Sequence, residues 1–291
     1  MSDAMRWVIA GLGYSGAAVA RAAAARGASV TGTARDPARA APPSNVAMVA
    51  FADAAAAIRA ATHLLVTAAP GEAGDPVFAA HAAAIRAAPA LRWIGYLSTT
   101  GVYGDRGGAT VDEDTPPAPG QDRSRRRLAA EQQWAALADA RAVDVFRVGG
   151  IYGPGRSAFD ELRAGTARRT VKPGHKFGRI HRDDIARAVL AAARQDRAPG
   201  LRVLHLVDDA PAESAEVTEA AARLLGVAPP PAIPYEQALA GMSPMAQSFW
   251  AENRVVANAK TKAALGLAWR YPSYREGLAA ILLEERGERP A

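Results

Sequence analysis

Three glycines carry the first chemical signal. They lie in Gly11-Leu12-Gly13-Tyr14-Ser15-Gly16, directly after the apolar run Trp7-Val8-Ile9-Ala10 and ahead of a stretch with no helix breaker before Gly27. Strand, glycine turn and helix in that order suit the diphosphate of a dinucleotide. Gly11 allows the tight turn, Gly13 lets the backbone approach a pyrophosphate, and Gly16 lets the helix lie close on the strand. The unpaired N–H groups and positive end of the helix then face the phosphates. Gly13-Tyr14-Ser15 also begins a G-x-S-x-G nucleophile elbow, but Ala17 stands at its last position, and such elbows sit mid-sheet with an acid and a histidine following.

The second strand, Ala28–Thr33, ends in Thr33-Ala34-Arg35 with no acidic residue to hold a ribose 2′-hydroxyl. Arg35 is placed to meet a 2′-phosphate and Thr33 to add a hydroxyl donor, so the expected cofactor is NADP rather than NAD. Asp36-Pro37 reads as an N-cap followed by proline at the first helical position. The small residues Ala68 and Ala69 after the fourth strand, His63–Ala68, let the chain pass close to the dinucleotide.

These residues need a frame. Val46–Val49 is a third short strand and Arg92–Ser98 a fifth, with helices expected over Asp53–Ala60 and from Asp75-Pro76 to Ala88. Alternating strands and helices predict an α/β, doubly wound parallel sheet. The chain has 291 residues, 49% of them hydrophobic, and no apolar run near membrane-spanning length. The first strand follows the N-terminus at once, which predicts no signal peptide and a cytoplasmic protein. With no cysteine and no metal-ligand spacing among the five histidines, neither disulfides nor a metal site is expected. The net charge of +6 is mostly arginine, clustered at Arg168, Arg169, Lys172, Lys176 and Arg179. That cluster suits a small anionic substrate; no nucleic-acid motif accompanies it.

From Ser98 onward the sequence is similar to a known family. Ser98-Thr99-Thr100-Gly101-Val102-Tyr103-Gly104 with Asp112-Glu113, then Arg147–Arg156, then Ile180-His181-Arg182-Asp183-Asp184-Ile185-Ala186, resemble extended, atypical short-chain dehydrogenases/reductases of the NAD-dependent epimerase/dehydratase type. The resemblance extends through Asn253–Lys260 to Gly277. It implies an NAD(P)-binding Rossmann core over 1–150, with a strand and helix from about 180–208 returning to it. It also implies a small, mostly substrate-binding C-terminal lobe over 151–291, and a homodimer through helices at Asp75–Ala88 and Arg123–Ala138.

The family's chemistry uses a Ser or Thr and a Tyr-x-x-x-Lys pair, with Glu often four residues beyond the Lys. Thr99 matches the hydroxyl residue. If Glu131 sets the register, Arg127 stands where the Lys belongs and Arg123 where the Tyr belongs; no Tyr-x-x-x-Lys occurs, and no lysine precedes Lys172. Arginine stays protonated, so Arg123 cannot serve as a general acid/base. Arg123 and Arg127 read either as an anion clamp at the nicotinamide end or as a solvated helix start. Tyr103 and His181 are the remaining proton donors to consider, each with a structural reading beside it, and Asp183 reads as the N-cap of a helix from Asp184 to Arg194. Two functions follow: a NADP-dependent oxidoreductase or epimerase-type enzyme on a small anionic or nucleotide-linked substrate, or a catalytically silent NADP-binding sensor or regulator.

Overall fold

The computed structural model describes residues 5–288. Its largest sheet has seven strands: β1 (Arg6–Ala10), β2 (Ser29–Ala34), β3 (Val46–Ala50), β4 (His63–Val66), β5 (Trp93–Thr99), β6 (Ala142–Val148) and β7 (Gly200–Leu206). Their order across the sheet is β3-β2-β1-β4-β5-β6-β7, and β1 pairs in parallel with both β2 and β4. The order reverses between β1 and β4, the switch point at which such sheets open a crevice beyond the strand ends. Register brings the chemistry to that edge. Ala10 lies opposite Thr33 and Val66, and Val66 opposite Tyr96, so Gly11, Ala34, Thr67 and Leu97 all emerge at one edge of the sheet.

Continuous burial explains why the strands read as apolar runs. Trp7–Ala10, His63–Val66 and all of β6 are buried, as parallel strands covered on both faces must be. Helices α1 (Tyr14–Ala24), α2 (Ala55–Ala60), α3 (Pro76–Arg86) and α4 (Asp122–Ala135) connect the strands. The segment expected to form one helix from Asp53 is instead a 3₁₀ turn, Phe51–Asp53, followed by α2. Asp75 caps α3 by accepting from the N–H groups of Val77 and Phe78, and its other oxygen accepts from Trp134 Nε1 on α4. One side chain thereby starts α3 and ties α4 to it.

The described residues form two compact units. The first holds the chain up to Thr99 with Asp122–Arg147 and Ile185–Leu204; the second holds Thr100–Gln121, Val148–Asp184 and the chain from His205 onward. In the second, α5 (Ala158–Arg163), α7 (Ser214–Leu225) and α11 (Tyr274–Glu285) close on Tyr152, Phe159, Ala221, Leu278 and Ile281. Three short parallel pairings accompany them, among them Gly150–Tyr152 with Arg179–His181. Helix α6 (Arg182–Arg194) begins two residues earlier than expected, so Asp183 lies inside the first turn and is not its cap. Helix α7 ends at Gly226, whose φ of 70° is a left-handed stop. The four remaining helices, α8 (Tyr235–Leu239), α9 (Pro244–Trp250), α10 (Ala259–Leu265) and α11, follow α7 in the chain. Among the described residues no helix is long and apolar enough to cross a membrane.

Candidate dinucleotide site

The glycine turn is built from the ends of three strands. Gly11 has φ +99°, and a Cβ there would meet Thr67 Oγ1 at 3.0 Å and the Ala68 nitrogen at 3.1 Å. Its N–H donates to Thr33 Oγ1 (3.0 Å), the N–H of Leu12 to the Thr33 carbonyl (2.9 Å), and the Thr67 hydroxyl donates to the Gly11 carbonyl. Gly16 lies so close that a Cβ would stand 2.6 Å from that same carbonyl. Any side chain at Gly16 therefore drives α1 off β1.

Gly13 differs from both. Its φ is −85°, which every residue tolerates, and a Cβ there meets no protein atom within 4 Å. Nothing in the protein's own packing requires glycine at that position. The bare position adjoins the N-terminus of α1, which has neither a side-chain cap nor an acidic residue in its first turn. Helix N–H groups beside a position without a side chain form the cradle that a pyrophosphate fills. Leu12, Tyr14 and Ser15 complete the turn, with Ser15 buried at the start of α1. The residues present fit a dinucleotide.

At the end of β2 the two residues expected at a 2′-phosphate part company. Arg35 is exposed. Thr33 is 1% exposed, and its Oγ1 is the acceptor for Gly11, so it shapes the turn and does not present a donor to a phosphate. Asp36 caps the following 3₁₀ turn by accepting from the N–H of Ala38, leaving the β2 end without a carboxylate for a ribose hydroxyl. Ala68 and Ala69 follow β4; Ala69 is exposed, while the Ala68 N–H donates to the Ala10 carbonyl at 3.3 Å.

Thr99 closes β5 and is half-buried. Arg127, on α4, reaches the same edge, but as a brace. Its Nη1 donates to the carbonyls of Leu97 (2.9 Å) and Ala68 (3.4 Å) and to the Tyr96 hydroxyl (3.1 Å). These bonds join the chain after β4 to the end of β5, a bracing role that neither the anion-clamp reading nor the solvated-helix reading includes. Arg123 is half-buried one turn earlier on α4. Burial raises the Tyr96 hydroxyl above its ordinary value, with the Arg127 guanidinium opposing the shift; Tyr96 stays protonated at neutral pH.

Beneath Arg127 lies a cluster that sequence reasoning missed. Glu131, on α4, accepts from the Ser98 hydroxyl and from Arg147 of β6, with Arg147 Nη2 at 2.8 Å and Nε at 3.2 Å. Both charged side chains are 6% exposed. Three elements that end at the site are thus held in register by one carboxylate. Thr67 was missed likewise. The available signals were Arg147 inside an otherwise apolar strand and a threonine directly before the small pair Ala68-Ala69.

Neither remaining proton-donor candidate is accessible. Tyr103 is fully buried with its oxygen 2.6 Å from His205 Nε2. The Tyr103 hydroxyl donates to the Asp112 carbonyl (3.0 Å), and His205 Nδ1 lies 2.7 Å from the Ala257 carbonyl. His181 is 1% exposed, accepts from the Asp183 N–H, and is pushed down to about 4, chiefly by burial, with Asp183 and Asp184 opposing. It is neutral at pH 7. The structure supports the structural reading of both residues.

Comparison with known proteins fits this geometry. No family model matches the chain. A functionally unknown conserved protein from Silicibacter pomeroyi superposes with a TM-score of 0.86 at 42% identity, covering 96% of this chain and 98% of that one. A protein assigned as an NAD-dependent epimerase/dehydratase from Methylobacillus flagellatus gives a TM-score of 0.74 at 25% identity, covering 98% and 100%. A 3-diazoavenalumate denitrifying reductase from a Streptomyces species is 31% identical over 191 residues, 60% of this chain; the match spans 59% of that relative, and 47% of the next curated ones. With its sheet order, glycine turn and strand-end register, the chain has the NAD-dependent epimerase/dehydratase-like Rossmann fold of atypical short-chain dehydrogenases/reductases.

Proposed function

We propose that the chain is a NADP(H)-dependent oxidoreductase acting on a small anionic substrate. The observation that carries the cofactor choice is the end of β2: an exposed Arg35 where a carboxylate would select NAD, with Asp36 already spent as a cap. An arginine there offers a fork to a 2′-phosphate. Gly11–Gly16 would hold the diphosphate and Ala68-Ala69 the passage beside it. When bound, the nicotinamide supplies a hydride or accepts one. Thr99 would orient a substrate oxygen, and Arg127, braced as it is, would keep a fixed positive charge at the strand ends. A reductase is preferred to an epimerase; no tyrosine acid stands on α4, so the proton that accompanies the hydride in either reaction would come from another group. A curated relative named as a reductase of an anionic substrate agrees with that choice.

A second reading has its own support. Tyr103 and His181 are both sealed inside the protein, which suits a NADP-binding sensor without turnover. One experiment separates the two. NADPH and NADH are titrated against the protein, and small carboxylates bearing reducible carbonyl or diazo groups are then screened for loss of nicotinamide absorbance. Tighter binding of NADPH with turnover of an anionic substrate supports the reductase. Tight NADPH binding with no turnover supports the sensor, and equal affinity for both cofactors overturns the NADP assignment.

A further inference from the structure

The second unit contains a cavity of about 340 Å³ between α5, α7, α11 and the Gly150–Tyr152/Arg179–His181 pairing. Every residue that lines it belongs to that unit, whereas the glycine turn, Arg35 and Arg127 belong to the first. The cavity wall includes an arginine with unusual surroundings. Arg179 Nη1 donates to the carbonyls of Phe177 (3.0 Å) and Ala212 (2.9 Å), but among the described residues its Nε and Nη2 have no acceptor and no carboxylate lies within ion-pair distance. The buried acid Asp208 influences Arg179 only through space. A largely buried guanidinium without a counter-ion is costly, and proteins ordinarily pair such charges.

Two further features converge on the same space. Tyr274 lines the cavity and is 2% exposed, and its hydroxyl is buried with no hydrogen-bond partner. Ser214 and Thr218, in the first turns of α7, also line it. That helix has twelve residues and no side-chain cap; the flanking Glu213 carboxylate instead accepts from the N–H of Gly174 (2.7 Å). Positive charge, an unspent hydroxyl and uncapped helix N–H groups all call for an anion. Of the acids nearby, Asp208 and Glu216 act on Arg179 only through space, and Glu216, in the first turn of α7, is exposed to solvent. Asp160 is tied to Ser157 in a capping box, and Glu161 is exposed to solvent and screening. The remaining wall, with Val217 and Leu278, is apolar.

We propose that this cavity binds a small organic acid, its carboxylate held by Arg179, the Tyr274 hydroxyl and the N-terminus of α7, and its apolar body against Val217 and Leu278. The assignment does not depend on which cofactor the first unit binds.

The test is calorimetric titration of the intact protein with benzoate, with benzamide as its neutral counterpart and inorganic phosphate as an anion without an apolar body. Benzoate should bind saturably and raise Tm, with benzamide weaker by roughly tenfold or more, the measure of a charge-assisted pair. Arg179→Met should lose benzoate binding. Tyr274→Phe should weaken it several-fold, and Val217→Trp, which fills the cavity, should abolish it; all three variants should keep the wild-type affinity for NADPH. If Arg179→Met does not fold, the other two variants carry the test. Equal binding of benzoate and benzamide, binding of phosphate but not benzoate, no binding of either anion, or benzoate binding untouched by Val217→Trp would each overturn the proposal.

Discussion

Two residues apart at the end of β2, Thr33 turns inward to Gly11 and Arg35 outward to solvent, and their substitutions should separate folding from binding. Thr33→Val keeps the shape but strands a buried N–H, which costs about 1–3 kcal/mol of stability in urea unfolding. Arg35→Ser should leave stability unchanged and weaken NADPH binding by about 1.5–3 kcal/mol, while NADH binding stays the same. A histidine makes the pH-dependent counterpart. His63 is fully buried, stacks on Trp7 at 5.1 Å, and bonds to Thr62 and the Ala193 carbonyl. Burial pushes it from 6.5 down to about 4. Because the folded value lies below the unfolded one, its stabilising contribution is complete above pH 6.5 and falls as pH drops toward 4, by ~1.4 kcal/mol per pH unit. His181 acts in the same sense and range. Asp208, raised to about 7 by burial, acts in the opposite sense: its contribution is complete below pH 3.8 and is lost as pH rises through 7. Unfolding free energies at pH 7, 6, 5 and 4 should therefore decline less steeply in His63→Phe than in the wild type. An unchanged slope would show that His63 is not held neutral.

At the level of elements, the site depends on α4 lying in fixed register across β5 and β6, and Glu131 sets that register. Glu131→Ala leaves Arg147 buried and uncompensated and should cost about 3–5 kcal/mol in urea unfolding. Replacing both by methionine should recover most of the loss; if the double variant is as unstable as the single one, the ion pair is not what holds α4. The same contrast shows what could be read from sequence. Elements defined by local pattern were legible: the strand-turn-helix at Gly11 and the start of a helix at Asp75-Pro76. Tertiary pairing was not. Arg147 and Asp144 interrupt an apolar strand, and their partners come from α4 and from Arg197 and Arg202, which no local pattern announces. Arg127 was placed on the correct helix and at the correct strand ends, yet its acceptors are backbone carbonyls of β5 and of the chain after β4, invisible until the register is known. Thr33 was misread for a related reason: its closeness to Arg35 in the chain suggested a shared task, whereas its hydroxyl is taken up by the Gly11 N–H of the adjacent strand turn.

For the whole molecule, the family fold fixes dinucleotide binding more firmly than it fixes chemistry. The first unit carries a complete diphosphate turn, whereas the tyrosine and lysine on which relatives of this kind rely are absent from α4. The second unit contributes a cavity with an unpaired arginine of its own. Everything proposed for catalysis rests on the turn holding NADPH, and Gly13 tests that directly, because a side chain there meets no protein atom. NADPH titration and thermal melting of Gly13→Val beside the wild type is the deciding measurement. The expected result is an unchanged Tm with NADPH affinity reduced by at least about tenfold. Wild-type affinity in a folded Gly13→Val protein would contradict the account.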